Sequence, residues 1–148
     1  MMKFTNGERS LTLRVLDYEF PDRSGAGEEY DYDANWLVLE GVYRDGRSER
    51  SFQNSCLLTT ELQQLAAGLK LLHSGVQDVY QSDFAEPYFE VTAEVMGIDQ
   101  YLLYASFSML VSEEKWQNFG TECFLSGEGL KALIAEIEGE CRAFPEKL

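Results

Sequence analysis

Apolar residues recur along this chain in two rhythms, and each change of rhythm marks an element. Over residues 10–16, Leu11, Leu13 and Val15 alternate with Thr12 and Arg14, the period of two expected of a strand with one face buried. Tyr18 and Phe20 can extend that strand until Pro21, which has no N–H to give a ladder, ends it. A polar loop then runs to about Asp33, long enough to predict a functional or mobile segment. Alternation resumes over 36–44, with Trp36 the expected core anchor, and Asp45-Gly46 predicts a tight hairpin turn into a partner strand over 47–58.

The rhythm then shifts to the helical one. Leu62, Leu65, Ala66, Leu69 and Leu72 form one apolar stripe, entered at Thr59 or Thr60, whose hydroxyl can cap the first turn, and closed by Gly75. After Pro87 the strand pattern returns: Phe89, Val91, Ala93 and Val95 alternate with Glu90, Thr92 and Glu94. Gly97-Ile98-Asp99 predicts a turn, residues 101–111 a long antiparallel partner, and residues 119–125 a third strand. Ser126 caps a last helix with the face Leu130, Leu133, Ile134, Ile137 and Cys141, ending near Phe144-Pro145.

Both halves therefore run strands, then a Cys-apolar-Leu-hydroxyl junction, then an amphipathic helix. The junctions Cys56-Leu57-Leu58-Thr59 and Cys123-Phe124-Leu125-Ser126 lie 67 residues apart. Two origins are open: a βββα unit used twice, or convergence of strand ends and helix caps on a small set of residues. Either way the expected fold class is α+β, a mostly antiparallel sheet of about six strands with two helices on one face. At 148 residues the chain matches one domain, 1–148.

Charge narrows the function classes. With 26 acidic against 12 basic residues and a net charge of −14, the chain cannot assemble the cationic surface that binds nucleic acid directly; a basic protein is the natural complement. Leu71 to Glu114 contains no Lys or Arg, so part of the surface is expected to carry a one-signed field. No apolar run reaches the length of a signal sequence or membrane span, which predicts a cytoplasmic protein that does not engage a membrane.

Catalytic warrants are sparse. Nucleotide-loop, zinc-protease and serine-hydrolase motifs do not occur, and Cys56, Cys123 and Cys141 have no metal-site or redox spacing, which predicts reduced core thiols. His73, the single histidine, is expected to meet carbonyls at a helix C-terminus; as a general base it would need an orienting partner. Asp31, Asp33 and Asn35 alternate as in the start of a calcium loop, but Trp36 and Val42 stand where the loop needs glycine and glutamate, so turn formation is the better reading. What remains is surface: Glu90, Thr92 and Glu94 are expected to project beside Tyr104, Ser106 and Ser108, an acidic, hydroxyl-rich sheet face suited either to solvent or to a basic partner.

The run Leu11-Thr12-Leu13-Arg14-Val15-Leu16-Asp17-Tyr18-Glu19-Phe20-Pro21, followed by Asp33-Ala34-Asn35-Trp36-Leu37, resembles the WapI-type immunity proteins of bacterial contact-dependent toxin systems. Residues 51–62 and the ending Arg142-Ala143-Phe144-Pro145 are similar too. The resemblance implies a cytoplasmic protein, needing no cofactor or metal and catalysing nothing, that binds and neutralises the C-terminal domain of a toxin, often a nuclease. Partner contacts are then expected at Asp17, Glu19, Tyr30, Asp31, Asp33, Glu90, Glu94 and Tyr104. The alternatives are a small-ligand protein or carboxylate-dependent enzyme, and an oligomeric adaptor.

Overall fold

The computed structural model describes residues 1–25 and 31–147. Strands β1 (Met2–Asn6) and β2 (Arg9–Tyr18) lead through a loop to a short helix, α1 (Tyr32–Asn35), then β3 (Trp36–Arg44), β4 (Glu49–Leu58) and helix α2 (Thr59–His73). The second half follows as β5 (Val79–Gln81), β6 (Phe89–Gly97), β7 (Gln100–Ser112), β8 (Lys115–Leu125) and helix α3 (Gly127–Ala143). The class is α+β and antiparallel throughout, but the eight described strands divide into two four-stranded sheets, ordered β1-β2-β3-β4 and β5-β6-β7-β8.

The difference from a single sheet of about six strands comes from β1 and β5. Met2 and Phe4 alternate over five residues only, and β5 has three, so neither produces a periodic signal of useful length. With both added, each half is a four-stranded meander followed by a helix, and the two Cys-apolar-Leu junctions occupy matching places at the ends of β4 and β8. Asp45-Gly46 also serves a longer turn than its dipeptide suggests. Arg44 pairs with Glu49 across a four-residue loop in which the Asp45 carboxylate accepts from Arg47 N and Ser48 N.

Alternation places one face of each sheet inward. Leu11, Leu13, Val15, Leu37 and Leu39 of the first sheet and Phe89, Val91, Leu103 and Phe107 of the second are buried in one cluster with the stripes of both helices. Phenylalanines join the sheets: Phe52 lies 4.3 Å from Phe107 and Phe4 lies 6.2 Å from Phe89, centroid to centroid. Gly41 makes room for this, because a Cβ there would run into the Phe52 ring. The helices lie beside each other, α2 against β4, β5 and β6 and α3 against β1, β7 and β8.

One helix entrance follows the expected hydroxyl cap and the other does not. Ser126 caps α3 by accepting from Gly129 N at 3.1 Å. At α2 the cap position is Leu58, and the buried Glu61 carboxylate accepts from Leu58 N at 3.0 Å and from Ala85 N at 2.7 Å, tying the helix to the approach to β6. His73 at the end of α2 makes its contact across the interface: its Nε2 lies 3.1 Å from the Gly127 carbonyl of α3, with the ring stacked on Tyr101.

Candidate functional site

Two parts of the surface hold the expected contact residues, one on each sheet. The first surrounds the loop after β2. Asp17 lies just past a bulge, exposed opposite Val38, and Glu19 is exposed with its N–H donating to the Trp36 carbonyl at 2.8 Å. Asp31 is already occupied. Its carboxylate meets Arg23 Nε at 3.1 Å and caps α1 by accepting from Ala34 N at 3.3 Å. The hydrogen bond from Arg23 does most to hold the Asp31 carboxyl below its ordinary range; desolvation opposes it, and the bond from Ala34 and the neighbouring positive charge add to the depression. Asp33 is exposed, 3.9 Å from the same guanidinium. Tyr30 lies outside the described residues.

Behind this loop sits a buried knot. Asn35 has no exposed surface and its side chain makes four hydrogen bonds: Oδ1 accepts from Thr59 Oγ1 at 2.8 Å and Lys147 N at 2.7 Å, while Nδ2 donates to the Asp31 carbonyl at 2.8 Å and the Lys147 carbonyl at 2.9 Å. Lys147 in turn donates from Nζ to the carbonyls of Phe20, Pro21 and Arg23, at 3.4, 3.1 and 2.8 Å, and stands 3.9 Å above the Tyr18 ring. The Tyr18 hydroxyl donates to the Pro145 carbonyl at 2.6 Å. Asp31 and Asn35 are thus committed to internal partners, an observation that favours turn formation over cation binding for this alternation. Trp36 is half-buried, and Leu37 and Leu39 are the core anchors of β3.

The second part is the outward face of the second sheet, where Glu90, Glu94 and Tyr104 come together as expected. Register pairs Glu90 with Ser106, Thr92 with Tyr104 and Glu94 with Leu102, all turned away from Phe89, Val91 and Ala93. Tyr104 lies across Gly120, where a Cβ would strike its hydroxyl; that hydroxyl donates to Asn118 Oδ1 at 3.1 Å, and Asn118 Nδ2 donates to Ser108 Oγ at 2.8 Å. Sequence reasoning missed Glu122 and Phe124, which register places beside Tyr104 and Leu102. The signal was available: Phe119, Thr121 and Cys123 point inward, so the residues between them point out.

Buried thiols are poor nucleophiles. Burial raises Cys56 to about 12, helped by the charges of Glu61 and Glu86, and raises Cys123 to about 11. Among the described residues no three ligating side chains are grouped to hold a metal ion, and no described helix is long and apolar enough to cross a membrane.

The model of the immunity protein WapI-like family matches residues 1–145. The chain belongs to the WapI-like immunity protein family. No curated protein and no solved structure matches it. For a WapI-like immunity protein the distinctive Asp33-Ala34-Asn35-Trp36-Leu37 run has a structural explanation: Asn35 joins α1, α2 and the residues after α3, and Leu37 anchors β3. Family membership supports an immunity role with a toxin protein as partner.

Proposed function

We propose that this WapI-like immunity protein is a non-catalytic cytoplasmic module that binds and neutralises the C-terminal domain of a contact-dependent toxin, with a nuclease as the target activity. Membership in the family carries this reading. Charge supports the nuclease assignment: such domains present cationic clefts to phosphates, and a chain of net charge −14 is the electrostatic complement. Its field is concentrated in the second half, where residues 71–130 hold ten acidic residues and one Lys, Lys115. Glu90, Glu94 and Tyr104 serve as contacts, with Asp17 and Glu19 as exposed carboxylates on the other sheet and Asp31 and Asp33 shaping the loop against Arg23.

The decisive experiment is co-expression with the C-terminal domain of a contact-dependent toxin sought in the gene next to the one for this chain. Growth should be rescued and a stable complex should co-purify. Growth arrest despite abundant folded protein would refute the proposal.

A further inference from the structure

The two sheets share a topology, but their outward faces are chemically opposite. The first sheet carries two cross-strand ion pairs: Arg14 pairs with Glu40 at 2.8 Å and Arg44 with Glu49 at 2.9 Å. On the second, Glu90, Glu94 and Glu122 make no ion pair with any described residue. They are interleaved with exposed apolar side chains. Register sets Val79, Glu94, Leu102 and Phe124 in one row across all four strands and Gln81, Thr92, Tyr104 and Glu122 in the next. Val79 is 65% and Phe124 67% exposed, and a depression of about 440 Å³ lies along these rows.

We infer that the outward face of the second sheet is the docking surface for the toxin domain, receiving a segment that presents an aliphatic or aromatic side chain flanked by lysine or arginine. The apolar side chain seats on Leu102, Phe124 and Val79; the flanking cations meet Glu94, Glu122 and Glu90. Unmatched charge of one sign gives steering and orientation, and the apolar row gives the desolvated contact on which affinity depends. A second copy of this chain is a poor occupant, because it would set carboxylates against carboxylates. This inference rests on the neutralising role proposed above.

Titration calorimetry of the chain against the toxin C-terminal domain used for co-expression separates the two. Glu94→Lys/Glu122→Lys should weaken binding on the order of a hundredfold and Phe124→Ser about tenfold, as expected for charge reversal and loss of a central anchor. All three positions are exposed, so melting temperatures should stay at the wild-type value. Glu8→Lys/Glu128→Lys, which makes the same change in net charge at exposed positions off this face, should stay within about threefold of wild type. If wild type binds and the Glu94/Glu122 variant matches it, or the control weakens binding as much, the docking surface is wrong and the neutralising role stands. If wild type does not bind the domain, both fall.

Discussion

Replacing Asn35 with aspartate conserves shape and inverts two hydrogen bonds. Oδ1 can still accept from Thr59 and Lys147 N, but the amide donor is gone, and a carboxylate oxygen then faces the carbonyls of Asp31 and Lys147, at 2.8 and 2.9 Å in the wild type. Each buried acceptor left without its donor costs about 1–3 kcal/mol, so two predict a loss of about 4 kcal/mol at pH 7, the middle of a range of about 2–6. For a chain of this size that lowers Tm by roughly 10 °C. The deficit should also depend on pH with a definite sign. The introduced carboxyl can donate once protonated, so the folded state raises its pKa above the unfolded value of about 3.9. Stability is therefore best retained below that value and is lost as pH rises through the folded pKa. Guanidinium unfolding of Asn35→Asp at several pH values measures this, and toxin-domain affinity under folding conditions should be unchanged, because Asn35 is buried at the end of α1 and is not part of the outward face of the second sheet. A loss below about 0.5 kcal/mol at pH 7 with an unchanged slope would falsify the assignment of Asn35 as the centre of this knot.

Three further outcomes follow from named contacts. Gly68→Ala, at a helix position where alanine ordinarily gains about 1 kcal/mol, should instead lower Tm, because a Cβ there runs into the Tyr80 ring and overpacking costs about 1–3 kcal/mol; a rise in Tm on a thermal scan would refute that packing. Asp31→Asn should narrow in its effect as the solution is acidified: the Arg23 contact depresses the carboxyl's folded pKa, so its contribution is full above about pH 4 and fades as pH falls through the folded value, a trend read from guanidinium midpoints between pH 7 and pH 2.5. Alkylation of the native protein at about pH 8 should reach the half-buried Cys141 before Cys56 and Cys123, which burial holds at about 12 and 11, while unfolding should make all three react; peptide mass analysis distinguishes them.

Both helices were legible because their stripes repeat over several turns; Leu62, Leu65, Ala66, Leu69 and Leu72 are all buried, as are Leu130, Leu133, Ile134 and Ile137. The β6–β7 alternation was equally clear, so three expected contacts, Glu90, Glu94 and Tyr104, fall together on one outward face. The other group was harder to read. Nothing in the spacing of Asp31 and Arg23 distinguishes an ion pair from two exposed charges, and only the fold brings the two side chains together. Trp36 was overvalued because size and hydrophobicity suggest an anchor, whereas strand parity and the tight turn of α1 give the fully buried place to Leu37.

Local periodicity and charge determined what this chain could read out by itself: strand and helix identities, the inward residues of each, an α+β antiparallel class, and an acidic second half. These depend on neighbours within a few residues, which fix a period and a face. Tertiary structure decided what depends on distant residues: the division into two sheets, the Asn35 knot with Thr59 and Lys147, and the contrast between one sheet with cross-strand ion pairs and one with none among the described residues. Each is settled by which strand lies beside which, and cross-strand register brings together residues whose separation along the chain carries no local signal.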